Sequence, residues 1–99
     1  MSDKAKTEMI ASVSGTHTMQ VDADKYQAMR EAILQALPPA APGLTAAEMM
    51  EAVLPLLPDT LFLGGAKAGW WMKGVQLDLE ARKSITRETS KPLRFHKIG

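Results

Sequence analysis

The final third of the chain joins a long helical pattern to a short basic hairpin pattern, and this pairing restricts the fold more than any other feature. Residues 66–83 repeat apolar side chains at helical spacing and are predicted to form one helix. Residues 85–87 and 93–97 alternate between apolar and polar side chains, which predicts two strands joined by the polar loop at 88–92. We therefore expect an α+β domain that is mainly helical and ends in a β-hairpin.

The segment before this pattern is predicted to contain a tail and a first helix. Residues 1–20 are polar and lack a hydrophobic period, so we expect a flexible N-terminal tail, followed by one domain at residues 21–99. The first helix is predicted to start at Asp22 or Asp24, either of which can cap the amides of the first turn. Its inward stripe has four side chains at helical spacing: Tyr26, Met29, Ile33 and Leu37.

A capping-box pattern marks the start of a second helix, after Pro38 and Pro39 have ended the first one. Thr45 and Glu48 have the spacing at which a hydroxyl and a carboxylate satisfy each other's backbone amides. The remaining side chains predicted to face the core are, in chain order, Met49, Val53, Leu56, Trp71, Met72, Val75, Leu79, Ile85, Leu93 and Phe95.

The net charge of +1 hides an asymmetry between the two parts of the chain. Residues 1–63 have four Lys or Arg against eight Asp or Glu, whereas residues 64–99 have eight against three. A basic C-terminal third can attract a polyanion to one side of a domain. The alternative is a solvated basic surface that keeps the protein in solution.

Composition excludes several classes of site. The absence of cysteine excludes disulfides, thiolate zinc sites and cysteine nucleophiles. The longest uncharged run, residues 32–47, is too short and too rich in proline to cross a bilayer, and the N-terminus lacks the apolar core of a signal peptide. We expect a cytoplasmic protein with no membrane partner. No nucleophile, base and orienting group can be assembled, so we expect no enzyme, no cofactor and no metal, and we interpret Asp78 and Glu80 as solvated charge.

Two motifs resemble the winged helix-turn-helix domain of bacterial transcription regulators. Residues 79–87, LEARKSITR, are similar to the L-E-x-x-G-L-I-x-R run that leads from the recognition helix into the wing, with Lys83 in place of the usual glycine. Residues 43–49, GLTAAEM, are similar to the start of the second helix in such domains. The segments 61–71 and 75–80 also resemble a family of small uncharacterised bacterial proteins. The resemblance implies a winged helix-turn-helix fold with three helices and a C-terminal β-hairpin wing.

The first functional hypothesis that this resemblance implies is binding of double-stranded DNA, as in a transcriptional regulator. The third helix would enter the major groove, and the wing would contact the backbone or minor groove. Lysines and arginines would neutralise phosphates, and a glutamine could pair with adenine. The predicted contact residues are Lys67, Lys73, Gln76, Lys83, Arg87, Lys91 and Arg94.

The second hypothesis is a protein-interaction module of the same fold that does not bind DNA. It would use a second, narrower apolar face of the third helix, which includes Trp70 and Leu77. We expect both Trp70 and Trp71 to be buried, which requires the helix to pack on two sides. A basic exposed face would favour DNA, whereas an exposed Trp–Leu patch would favour a protein partner. The sequence leaves the oligomeric state open.

Overall fold

The computed structural model describes residues 5–89 and 91–98, and it confirms a small α+β domain with three helices in these residues. It has two antiparallel sheets, of which only the C-terminal one was predicted. Two short 3-10 turns, Leu54–Leu56 and Leu63–Gly65, lie between the second and third helices. The elements are, in order, β1 (Lys6–Ile10), β2 (Thr18–Asp22), α1 (Ala23–Ala36), β3 (Leu44–Thr45), α2 (Ala46–Val53), α3 (Ala68–Ala81), β4 (Ile85–Glu88) and β5 (Arg94–Lys97).

The N-terminal segment forms a β-hairpin that packs on α1 and α3, so the expectation of a flexible tail is wrong for residues 5–20. Strands β1 and β2 pair antiparallel with Met9 opposite Met19. Met9 is 1 % exposed and Val21 is 5 % exposed, which places one face of the hairpin in the core. This burial of apolar surface is what orders the segment. Residues 1–4 of the predicted tail lie outside the described residues.

The start of α1 is capped by Asp22, one of the two predicted residues. Its carboxylate accepts hydrogen bonds from the backbone amides of Asp24, at 2.9 Å, and Lys25, at 3.1 Å. These amides have no partner within the helix, so the cap stabilises its first turn. The predicted inward stripe of four side chains is buried throughout, and the helix ends before Pro38 as expected.

The predicted capping box begins α2. The Thr45 hydroxyl accepts from the Glu48 amide at 3.1 Å, and the Glu48 carboxylate accepts from the Thr45 amide at 3.0 Å. Met49 and Val53 are fully buried, as predicted, but Leu56 is 39 % exposed. The reason is that α2 ends at Val53 and Pro55 belongs to a 3-10 turn, which rotates the following side chains away from the core.

The second sheet has the strand order β3-β5-β4, with both pairs antiparallel. Gly43, with a φ of +79°, lies directly before β3, and a Cβ there would overlap the backbone of Phe95. Ile85 and Phe95 are buried as predicted, whereas Leu93 is 41 % exposed. Leu93 lies in the loop before β5 begins, so strand alternation does not set its direction.

The core is formed where α3 packs against α1, β1 and β4. The predicted inner face of α3 is confirmed, because Trp71, Met72, Val75 and Leu79 are all buried. Within the described part of the chain, no helix is long and apolar enough to cross a membrane.

Candidate functional site

One side of α3 is a narrow stripe of exposed and half-buried positions that we call the outer stripe: Trp70, Lys73, Gly74, Leu77 and Ala81. These positions fall within roughly 100° of one another on a helix of 3.6 residues per turn. Trp70 is 50 % exposed, and Leu77 is half-buried. Within α3 only one charged side chain, that of Lys73, is exposed, so the stripe is apolar with a single positive charge.

Asp78 of α3 is fully buried, contrary to its interpretation as solvated charge. Its carboxylate accepts hydrogen bonds from the Tyr26 hydroxyl, from the Ile10 amide at 2.8 Å and from Nε of Arg82 at 2.9 Å. The group therefore ties β1, α1 and α3 together. Burial and the Asp78 hydrogen bond raise the pKa of Tyr26 to about 12. The same carboxylate raises the pKa of Arg82 through its hydrogen bond.

Glu80 is the second buried acid of α3, at 7 % exposure, and it joins the helix to β4. Its carboxylate accepts from Nη2 of Arg87 at 2.9 Å and from Nε2 of Gln76 at 3.1 Å. The hydrogen bond to Glu80 raises the pKa of Arg87. Gln76 is only 2 % exposed, so the prediction that its amide is available to pair with a base is wrong. A buried carboxylate needs donors, and Gln76 and Arg87 supply them.

The predicted basic contact residues divide into two groups. Arg87 is held by Glu80, with its guanidinium carbon 5.7 Å from the centroid of the Phe95 ring. Arg94 donates to the Gly43 carbonyl at 3.1 Å and lies 3.3 Å from the Glu48 carboxylate. No ion pair within the described residues involves the other four, which are exposed lysines: Lys67, Lys73, Lys83 and Lys91.

Two of these lysines mark the ends of α3 in a left-handed backbone conformation. Lys67 has a φ of 59° directly before the helix, and Lys83 has a φ of 64° two residues after its last residue, Ala81. At the C-terminal end, the Lys83 amide donates to the Glu80 carbonyl and the Ser84 amide to the Leu79 carbonyl. This is the Schellman pattern, in which glycine is the usual left-handed residue. Lys83 therefore has a backbone conformation that glycine usually takes at the end of a helix.

The two tryptophans differ in exposure, which corrects the expectation that both are buried. Trp71 is 7 % exposed and meets Phe62 edge-to-face at 6.2 Å between ring centroids. Trp70 meets Trp71 edge-to-face at 5.1 Å, and half of its own surface remains in solvent. The half-exposed indole of Trp70 thus packs against a buried aromatic pair.

Trp70 separates two clefts. The first, of about 490 Å³, lies between the N-terminal ends of α1 and α3 and is lined by Lys25, Lys67, Trp70 and Trp71. The second, of about 300 Å³, lies between the hairpin and the outer stripe and is lined by Met9, Ala11, Met19, Trp70, Lys73, Gly74 and Leu77.

Sequence reasoning missed the contribution of the hairpin to this region. Met9, Ala11 and Met19 come from the segment predicted to be a tail, and Lys25 was not singled out. The available signal was weak: residues 18–22 alternate, and Ser14 and Gly15 favour a turn before them. Within residues 5–89 and 91–98, no group of three or more His, Asp or Glu side chains is arranged to hold a metal ion.

Residues 4–95 match the sequence model of a family of unknown function, DUF6958. This agrees with the expected resemblance to a family without an assigned activity. No curated protein and no solved structure is significantly similar to the chain.

Proposed function

The chain belongs to DUF6958, a family of unknown function, and we propose from its geometry that it is a protein-interaction module of winged-helix fold. The order α1, β3, α2, α3, β4, β5 and the strand order β3-β5-β4 support the winged-helix assignment, with β4 and β5 as the wing. The N-terminal hairpin is an addition to that order. The proposal concerns binding alone and assigns no reaction to the domain.

The observation that carries the proposal is the exposed indole of Trp70 on the outer stripe, beside the half-buried Leu77. Trp70 is 50 % exposed, and Leu77 lies about two turns of α3 further along the same stripe. Exposed aromatic side chains beside a concave apolar surface are typical of protein-binding surfaces. Tryptophan is also enriched among the residues that dominate binding energy at such interfaces.

The same stripe is poorly equipped to read DNA bases. Direct readout needs Arg, Lys, Asn or Gln side chains that can reach base edges. On the outer stripe Lys73 alone has such a side chain, because Gln76 is buried against Glu80. Arg87 and Arg94, the expected wing contacts, are engaged by acidic side chains of the domain itself.

DNA binding is a second candidate, and it is favoured by the burial of the two acidic side chains of α3. Asp78 and Glu80 are both buried beside arginines, so the charged groups left exposed on and around α3 are positive. Lys67, Lys73 and Lys83 are the exposed lysines of this region. Such a surface could hold a polyanion through its phosphates without reading sequence.

Site-specific photo-crosslinking in the cells that express the protein tests the first candidate. A benzophenone amino acid is placed at Trp70, at Leu77 or, as the matched control, at the exposed Leu56, which lines neither cleft. We expect a discrete protein adduct from positions 70 and 77 and none from position 56. A parallel titration with a random-sequence duplex, between roughly 50 and 200 mM salt, tests the second candidate.

The two experiments separate the candidates. Protein adducts at positions 70 and 77, together with weak duplex binding that the four lysines do not alter, support the interaction module. The opposite result overturns it: no protein adduct at either position, and duplex binding that weakens with salt by a slope of roughly −0.9 per phosphate contact and falls when the lysines are replaced.

A further inference from the structure

Trp70 lies between one cleft that is rich in lysine and one that is rich in apolar side chains. The two linings together indicate the chemistry of the partner that would bind there. We propose that the two clefts bind an acidic amphipathic segment of another protein, whose apolar side chains enter the second cleft and whose carboxylates meet lysines. The inference rests on the proposed interaction function and names the chemical class of its partner.

Charge is the first argument for an acidic partner. The first cleft is lined by Lys25 and Lys67, and the second has Lys73 at its edge. Among the described residues, neither lining includes an acidic side chain. No ion pair within the described residues involves these three lysines. Their ammonium groups are therefore free to pair with carboxylates, whereas a basic segment would meet repulsion on both sides of Trp70.

The shape and lining of the second cleft argue for apolar anchors on the same segment. Met9, Met19 and Leu77 line it together with Trp70, and Lys73 is the one charged residue in the described lining. Gly74 also lines the cleft, and the Met9 side chain packs against the backbone of α3 there. Methionines adapt to the shape of an incoming side chain, which suits recognition of varied apolar residues. The clefts, at about 490 and 300 Å³, have the size of ordinary binding pockets.

The arrangement also fits an amphipathic segment better than a purely acidic one. The lysines lie around the apolar surface, and Trp70 forms a ridge at its centre. This is the usual organisation of a protein interface, with an aromatic anchor inside a polar rim. A polyanion such as DNA would use the lysines and leave the second cleft empty.

Selection from a phage-displayed library of random peptides, with the full chain as bait, tests the proposal without assuming a sequence. Peptides that also bind the Trp70→Ala variant are removed, since Trp70 is half exposed and its truncation spares the core. We expect the remaining peptides to combine net negative charge with two or more aromatic or large aliphatic residues. Enrichment of neutral or basic peptides would overturn the acidic assignment.

Charge reversal of the lysines tests the same peptides in solution. In the triple variant Lys25→Glu, Lys67→Glu, Lys73→Glu, we expect the affinity of a selected peptide, measured by its fluorescence anisotropy, to fall by about tenfold or more. Lys91→Glu is the matched control, because this exposed lysine lies in the loop between β4 and β5 and lines neither cleft. Equal losses in both variants would contradict the proposal, and circular dichroism confirms that each variant is folded.

Failure of this inference can be told apart from failure of the proposed function. If position 70 still crosslinks to a protein in the triple lysine variant as efficiently as in the parent chain, the interaction function stands and the acidic partner is rejected. If position 70 yields no protein adduct in either chain, the interaction function itself is rejected. If the selected peptides bind but a random duplex displaces them completely, the clefts belong to a nucleic-acid surface and the inference is overturned.

Discussion

The terminal atoms of the Met9 side chain occupy the space that a Cβ atom at position 74 would need. A Cβ built on Gly74 would be 2.7 Å from Cε and 3.2 Å from Sδ of Met9. Because Met9 is 1 % exposed, this contact is part of the core and attaches β1 to the middle of α3. Glycine normally weakens a helix interior, so its presence here is explained by the space that Met9 needs.

Gly74→Ala is therefore expected to destabilise the protein, although alanine is the better helix former. Overpacking against Met9 outweighs the gain in helix propensity, and we expect a net loss of about 1 kcal/mol in the free energy of unfolding. Urea denaturation followed by circular dichroism measures it. The control is the same substitution in a Met9→Val background, which lacks the obstructing atoms; there alanine should stabilise. An identical effect in both backgrounds would show that Met9 and Gly74 are not coupled.

The missed hairpin shows which part of the fold could be predicted from sequence. The helices α1 and α2 were predictable because their caps and apolar spacing are local signals. Strand β1 was not, since Met9 is its one buried side chain, and that burial depends on the absence of a Cβ at a position 65 residues later. A contact between two distant positions leaves no periodic trace in either segment.

Lys83→Gly is expected to stabilise the protein. Lys83 has a φ of 64°, a region that costs an L-residue roughly 1 kcal/mol and costs glycine little. Part of this gain is offset because glycine is more flexible in the unfolded chain, so we expect an increase of about 0.5–1 kcal/mol in the free energy of unfolding. Lys83→Ala provides the control, because it removes the same charge but retains the Cβ. Equal stability of the two variants would refute the backbone explanation.

The candidate site was predictable only in part, because the sequence does not show which charges are buried. Trp70 and Leu77 were identified from helical spacing, and that identification needs no knowledge of distant residues. The pairing of Arg87 with Glu80 depends on how β4 returns along α3, and the burial of Asp78 depends on the missed hairpin. For this reason the basic residues predicted from the sequence are partly neutralised in the fold, where acidic side chains pair with Arg87 and Arg94.

The Tyr26 hydroxyl is expected to ionise at a pH well above the ordinary pKa of tyrosine. Burial and the hydrogen bond to Asp78 raise its pKa from 10.0 to about 12 in the folded protein. Because the folded value is the higher one, the stabilisation is complete below pH 10 and is lost as the pH rises toward 12. The chain has one tyrosine, so tyrosinate absorbance reports this group alone. Asp78→Asn should shift the titration toward lower pH, and ionisation near pH 10 in the parent chain would contradict the structure.

His96 is expected to stabilise the hairpin of β4 and β5 in its protonated form. Its Nδ1 lies 2.9 Å from the Lys97 carbonyl and its Nε2 lies 2.9 Å from the Glu88 carboxylate, so only the doubly protonated ring can donate to both. These two contacts raise the pKa of His96 above 6.5. Stability should thus be full below pH 6.5 and should decline as the pH rises through the folded pKa. NMR titration measures this pKa, and Glu88→Gln should lower it; an unchanged value in that variant would count against the contact.

Arg87 is expected to stabilise the fold, whereas the exposed Lys91 in the neighbouring loop is not. Arg87→Ala leaves the Glu80 carboxylate, whose side chain is 4 % exposed, with Gln76 as its one remaining side-chain donor among the described residues, so we expect a loss of about 2–3 kcal/mol. Lys91→Ala removes the same charge from an exposed position and should change stability by less than about 0.5 kcal/mol. Adding Glu80→Gln to Arg87→Ala should recover part of the loss, since no buried charge then remains unpaired. Similar unfolding curves for Arg87→Ala and Lys91→Ala would instead leave Arg87 free for a ligand such as DNA.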